Sequence, residues 1–132
     1  MWRDEYCIGV DIIDTQHKSL FAKTAELAEK LEEGLEKNKQ AIIEGIMFLK
    51  QYALQHFADE EAYQKSIDYK GFNEHQAQHK SFIQTLLQHE RALKASNFAE
   101  EDVQALMKAL SNWLVFHVAN SDQKIVGKDV VT

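Results

Sequence analysis

Proline is absent from this 132-residue chain, and glycine occurs only five times. A sandwich or barrel needs many turns, and such a shortage of breakers commits the chain to long helices with few connections. Hydrophobic periodicity agrees and predicts four helices, over about residues 15–36, 39–65, 73–95 and 98–120. The first carries a stripe of Leu20, Phe21, Thr24, Leu27, Ala28, Leu31 and Leu35, with Asp14 as its expected N-cap. On the second, Ile42, Ile46, Leu49, Ala53, His56, Glu60 and Tyr63 share a face, with Asn38 as cap. The third aligns His75, His79, Phe82, Leu86 and Leu93. The fourth aligns Val103, Leu106, Met107, Leu110, Trp113, Leu114 and His117, and Asn97 with Glu100 resembles a capping box. Residues 1–14, with Trp2, Tyr6, Ile8, Val10, Ile12 and Ile13, read as an extended arm packed across the helices, and a short tail follows the fourth helix. Short connections make sequential helices antiparallel neighbours. The expected fold is all-α: one domain, an up-down-up-down four-helix bundle with an N-terminal arm.

Composition narrows the function. Fifteen basic against 21 acidic residues give a net charge of −6, which disfavours nucleic acid or an anionic membrane as partner. The single cysteine, Cys7, excludes an internal disulfide and a multi-thiolate zinc site. No apolar run is long enough to span a membrane and the first residues carry no signal-peptide core, so a cytoplasmic protein is expected.

The informative residues are polar ones on apolar stripes. His56 and Glu60 are four apart and share a helix face, and His75 and His79 repeat that spacing. His17 begins the first stripe and His117 ends the fourth. In an antiparallel hairpin, residues at equal height are mirror images about the loop. His17 and His56 mirror about Glu36-Lys37-Asn38, Glu60 and His75 about Ser66-Ile67-Asp68-Tyr69, and His79 and His117 about Asn97-Phe98. All three centres are predicted connections, so these side chains lie at one level near one end of the bundle. His89 fails the test, lying about 15 Å along the axis from His79. Asp122 follows His117 by five residues, about 500° of helix rotation and roughly 140° off its direction. It joins the set only if the helix ends or distorts there.

One histidine on an apolar face is commonly a hydrogen-bonded core residue. Five imidazoles and two carboxylates at one level are not explained that way, because a buried, unpaired carboxylate is very costly. No lysine or arginine lies on the stripes at that level, and metal cations would supply the missing charge. Imidazole and carboxylate suit zinc, iron, copper or manganese alike. Seven ligands exceed a four-coordinate zinc site, which favours two metals.

In four segments the chain resembles the hemerythrin family, and its single-domain bacterial members in particular. These are Ile13-Asp14-Thr15-Gln16-His17-Lys18, His56-Phe57-Ala58-Asp59-Glu60-Glu61, His75-Gln76-Ala77-Gln78-His79, and Trp113 through His117 to Asp122. The resemblance implies a non-haem di-iron centre that binds O₂ reversibly, for transport, storage or local supply to an oxygen-using enzyme. It implies that His75, His79 and His117 hold one iron and His17 and His56 the other. Glu60, Asp122 and an oxo or hydroxo group would bridge them. A coordination count on that pattern leaves one open position, on the iron held by His17 and His56. It further implies an apolar wall of Leu20, Phe57, Trp113, Leu114 and Val118 that hinders loss of reduced oxygen species. Two positions depart from the common pattern: Ile125 where many members carry Tyr, and Tyr63 where bacterial members often carry Met.

The alternatives are an enzyme consuming O₂ or peroxide, such as a ferroxidase or peroxidase, and an oxygen or redox sensor. Ferritin-like oxidising sites use four carboxylates and two histidines. Five neutral imidazoles make a less electron-rich centre, and no further acid or base is evident. The expectation is a binding protein that is not an enzyme.

Overall fold

A computed structural model describes residues 2–126 of the chain. Four helices carry the fold: α1 (Asp11–Glu33), α2 (Leu35–Ser66), α3 (Phe72–Ala95) and α4 (Glu100–Phe116). A short 3-10 turn (Asp4–Tyr6) precedes them, and a π-helical turn (His117–Ser121) and a second 3-10 turn (Gln123–Val126) follow. There is no strand among the described residues. Each helix packs against the next in sequence, and α4 returns to α1, so the four close into a bundle. None is long and apolar enough to cross a membrane. The stripes meet inside, where Phe21, Leu27, Ile42, Leu93, Val103 and Leu114 are almost fully buried. Each such side chain contributes about 1.5–3 kcal/mol of transfer free energy, which the marginal helices lack when alone. Ala28, placed on the first stripe by periodicity, is exposed, and on α2 the fully buried position is Gln64 rather than the half-buried Tyr63.

The helix ends depart from the sequence expectations, each for a local reason. The arm is shorter than 1–14, because α1 begins at Asp11. Asp14 is therefore not an N-cap but a residue of the first turn. Its carboxylate reaches back to accept the Ile8 and Gly9 N–H groups at 2.8 and 3.0 Å, fixing the arm's approach. Farther out, Trp2 and Tyr6 do pack on Phe21, with ring centroids 5.6 and 5.8 Å away.

The first connection is one residue, Gly34, which serves both α1 and α2. Its φ of 131° is open to glycine alone, and its N–H closes α1 onto Lys30 and Leu31. Asn38 is thus inside α2 rather than capping it, and its Nδ2 donates to the carbonyls of Lys30 and Gly34, each of which also accepts a backbone N–H. The α4 capping box does not form. Asn97 and Phe98 adopt left-handed φ values of 54° and 59° and finish α3, with Phe98 N–H bonded to the Leu93 carbonyl at 2.7 Å. Ala99 is the α4 N-cap, its N–H held by Ser96 Oγ. At the far end, α4 stops at Phe116 instead of residue 120. The expected tail is seen as far as Val126, and residues 127–132 lie outside the described residues.

Gly34→Ala should destabilise the fold by roughly 1–3 kcal/mol, the range for a residue forced into such a region. The expected readout is a melting temperature lower by several degrees with the helical spectrum retained.

Candidate metal centre

Three helices and the turn after the fourth bring seven polar side chains to one end of the bundle. His17 comes from α1, His56 and Glu60 from α2, His75 and His79 from α3, and His117 and Asp122 from the π-helical turn and its cap. All are buried, none more than 3% exposed. The turn solves the rotation problem posed by Asp122. Its N–H bonds to the His117 carbonyl at 2.9 Å, an i to i+5 link that adds a residue to the turn. The wider turn brings Asp122 beneath His117, as an i+4 residue lies in an ordinary helix. Its Oδ1 is 2.9 Å from His117 Nε2.

The five histidines turn Nε2 inward, in two groups. His17 and His56 approach to 3.0 Å, His75 and His117 to 3.0 Å, and His79 and His117 to 3.2 Å. The two carboxylates span the groups. Glu60 Oε1 lies 2.8 Å from His75, 3.0 Å from His79 and 3.4 Å from His117, while its Oε2 lies 3.4 Å from His17 and 3.3 Å from His56. Asp122 Oδ2 is 2.8 Å from His17, and its Oδ1 is 2.8 Å from His75. Each carboxylate thus presents one oxygen to each group. Two sets of donors result, each able to close on one cation: Glu60, His75, His79 and His117, and His17, His56, Glu60 and Asp122.

Hydrogen bonding behind the rings identifies which nitrogen is free. Gln16 Nε2 donates to Asp59 Oδ2 at 2.7 Å, which turns its amide oxygen toward His56 Nδ1 at 2.8 Å. That nitrogen must be the donor, leaving the His56 Nε2 lone pair facing inward. Likewise His79 Nδ1 donates to Glu61 Oε2 at 2.8 Å, and Gln76 Nε2 donates to Glu61 Oε1 at 2.9 Å. The His79 lone pair then faces Glu60 Oε1, which is also an acceptor. An acceptor 3.0 Å from an acceptor needs a proton or a cation between them. The spacing suits a cation, because two adjacent ligands of an octahedral metal, each at about 2.1 Å, lie about 3.0 Å apart. Both Asp122 oxygens and Glu60 Oε2 are also buried with no hydrogen bond, despite their short contacts to ring nitrogens. The donor set fits cations.

The centre's electrostatics point the same way. Burial opposes protonation of His17, but the charge of Asp122 and contacts to Asp122 and Glu60 outweigh it and raise its pKa to about 10. For His75 the same carboxylates overcome burial and raise the pKa to about 9. Burial lowers that of His56. Asp122 stays ionised although burial and Glu60 both resist it, because His117 and His17 hold its pKa down. The charge that draws protons onto these nitrogens draws cations too, and the two compete for the same lone pairs.

Aromatic rings separate this polar end from the aliphatic core. Phe57 stacks on His79 at 4.2 Å, Trp113 stacks on His117 at 4.2 Å, and Phe82 stacks on Trp113 at 4.1 Å. Of the five expected wall residues, Leu20, Phe57, Leu114 and Val118 are buried in the core cluster and Trp113 packs half-buried against it. Ile125 is buried in the turn after Asp122 and offers no hydroxyl. His89 is only half-buried and joins neither donor set.

Gln16, Asp59, Glu61 and Gln76 were not singled out as functional from the sequence. Gln64, also missed, is fully buried one turn beyond Glu60 with neither amide atom hydrogen-bonded. For Gln16 and Glu61 a signal existed, since each directly adjoins a ligand, His17 or Glu60, at a position otherwise free to be apolar or solvent-facing.

The model of the family "Hemerythrin HHE cation binding domain" matches residues 8–128. The chain belongs to the hemerythrin family. A bacteriohemerythrin of Clostridium acetobutylicum is 30% identical, covering 96% of this chain and 98% of its own. A bacteriohemerythrin of Pseudomonas aeruginosa is also 30% identical, over 92% of this chain and 76% of the relative. A hemerythrin-like protein of Naegleria gruberi is 27% identical, over 96% and 90%.

Two pH effects follow from His17 and His75. Their folded pKa values of about 10 and 9 exceed the ordinary 6.5, so the stabilisation they bring is complete below pH 6.5 and lost as pH rises through 9 and 10. Chelator-treated protein should therefore melt at progressively lower temperature between about pH 7 and 10. Cation uptake near neutral pH should release protons and weaken as pH falls, measurable by calorimetry in buffers of different ionisation enthalpy.

Proposed function

We propose that this hemerythrin-family chain binds O₂ reversibly at a pair of iron ions and serves as a carrier, store or local source of oxygen. The observation that carries the reading is the split of each buried carboxylate between two histidine groups, three imidazoles on one side and two on the other. Such a set would suit two cations, unequally provided with ligands. His75, His79 and His117 would hold one iron, His17 and His56 the other, and Glu60 and Asp122 both. Two ferrous ions held there would supply the two electrons that reversible O₂ binding takes up and returns.

The remaining work belongs to the protein. Gln16 and Glu61 hold His56 and His79 with their lone pairs inward. Phe57 and Trp113 stack on His79 and His117, and the buried Leu20, Leu114 and Val118 would complete an apolar wall that excludes water, which favours release of oxygen unchanged over loss of a reduced, hydrated species. The centre has five imidazoles against two carboxylates. That ratio supports reversible binding over an O₂- or peroxide-consuming enzyme, because anionic ligands stabilise high-valent iron. Cytoplasmic placement and delivery to an oxygen-using enzyme belong to the same proposal.

The deciding experiment loads the protein with iron, reduces it anaerobically and admits air. About two irons per chain and a visible band that comes with O₂ and leaves under vacuum support the reading. A single irreversible oxidation favours the enzyme instead. His56→Ala should abolish the O₂-dependent band while leaving helicity intact, and an oxygen-dependent spectrum in that variant would refute the assignment of the two-histidine iron. Leu114→Ala should admit water and speed autoxidation severalfold, followed as decay of the oxygenated spectrum.

A further inference from the structure

The two outer hydrogen-bonded arms of the centre contain the same three chemical groups in opposite order. Behind His56 the order is imidazole, amide, carboxylate: Nδ1–H to Gln16 Oε1 at 2.8 Å, then Gln16 Nε2 to Asp59 Oδ2 at 2.7 Å. Behind His79 it is imidazole, carboxylate, amide: Nδ1–H to Glu61 Oε2 at 2.8 Å, with Gln76 Nε2 donating to Glu61 Oε1 at 2.9 Å. Gln55 Nε2 completes the first arm at Asp59 Oδ1, 2.9 Å away. Each arm carries one negative charge, and an amide sits beside it. What differs is whether the amide or the charge meets the ring.

That placement matters because an imidazole N–H donated directly to a carboxylate makes the opposite nitrogen a stronger electron donor than one donated to a neutral amide. We infer that Gln16 and Glu61 are positioning residues that make the two metal positions electronically unequal, the His75/His79/His117 position rich and the His17/His56 position poor. Histidine count alone gives part of that inequality, and the arms add to it in the same direction. A poorer position holds its metal less tightly and favours its reduced state. On the reading above, that is the metal with the open coordination place, so the amide-first arm keeps it ready for oxygen. The inference rests on that reading only in requiring two metals, and neither O₂ nor redox chemistry enters its test.

The test exchanges the order within an arm while conserving charge and hydrogen bonds. In the double variant Gln16→Glu/Asp59→Asn, a carboxylate at position 16 would accept from His56 and an amide at position 59 would donate to that carboxylate, reproducing the His79 arm. Glu61→Gln/Gln76→Glu is the reciprocal exchange. Metal-free protein is titrated with Zn²⁺ alone by calorimetry, and each binding step is assigned by the histidine ring signals it shifts in the NMR spectrum. The first exchange should tighten the step that perturbs His17 and His56 by about tenfold, at the low end of the roughly 10–100-fold range for such partners. The second should weaken the step that perturbs His75, His79 and His117 by a similar factor. Equal changes in both steps, changes on the opposite step, or none in a variant that melts like the parent would overturn the inference. Should one exchange fail to fold, the other decides alone. Iron-loaded parent protein without a reversible O₂ spectrum would overturn the oxygen reading and leave the zinc result standing.

Discussion

Glu60 and Asp122 have no exposed surface, and no lysine or arginine pairs with either among the described residues. The rest of this end of the bundle depends on that constraint. Two ionised carboxylates in a protein interior each carry a desolvation penalty of several kcal/mol. Five imidazoles surround them, and an imidazole is neutral unless it takes a proton. Protons and metal cations are the two ways to balance the charge, and the geometry serves both with the same atoms. At His56 and His79 the lone pairs are already aimed inward by the bonds behind the rings, so a cation entering does not have to order these ligands. The seven donors also come from three helices and one turn, so binding a metal ties all four helices together at one level.

The level itself was legible in the sequence. Short connections and a 3.6-residue period are enough to place His17, His56, Glu60, His75, His79 and His117 at one height, because equal height in an antiparallel hairpin follows from counting. Asp122 was the exception, since α-helical geometry turns it about 140° away. Its inclusion came from family resemblance, and the structure supplies the missing physics in the π-helical turn His117–Ser121. Nothing in residues 117–121 announces such a turn, which accompanies the burial of Val118, Ala119 and Asp122. Tertiary contacts, not local propensity, select it.

Helix ends were less legible for a related reason. Asp14 and Asn38 are good capping residues by type, and both do hydrogen-bond to backbone groups at a helix end. They do so backward, toward the preceding segment, from inside their helices. Sequence identifies a side chain suited to an orphan N–H or carbonyl but not which side of it the helix begins. The single-glycine connection at Gly34 shows the same ambiguity: glycine was visible, but the polar run after it hid how soon α2 resumes. The outer arms were hidden for another reason. Gln16 and Asp59 are forty-three positions apart, and only the folded bundle brings them to 2.7 Å.

The division of the interior explains why such a centre can sit in a small bundle. One end devotes polar groups to cations, and the remainder must supply the stability. Phe57, Phe82 and Trp113 stand at the boundary, with Phe57 stacked on His79, Trp113 on His117 and Phe82 on Trp113. The ring faces stacked on the imidazoles offer no competing donor or acceptor there, so the lone pairs remain free for the centre. On their other side the same rings join the aliphatic core. The low polarity of that core strengthens every charge interaction at the centre, while the centre's network gives the core one register in which the four helices can meet. Fold and site are therefore not separable here: the stripes that bury the helices set the height of the ligands, and the ligands tie those stripes together.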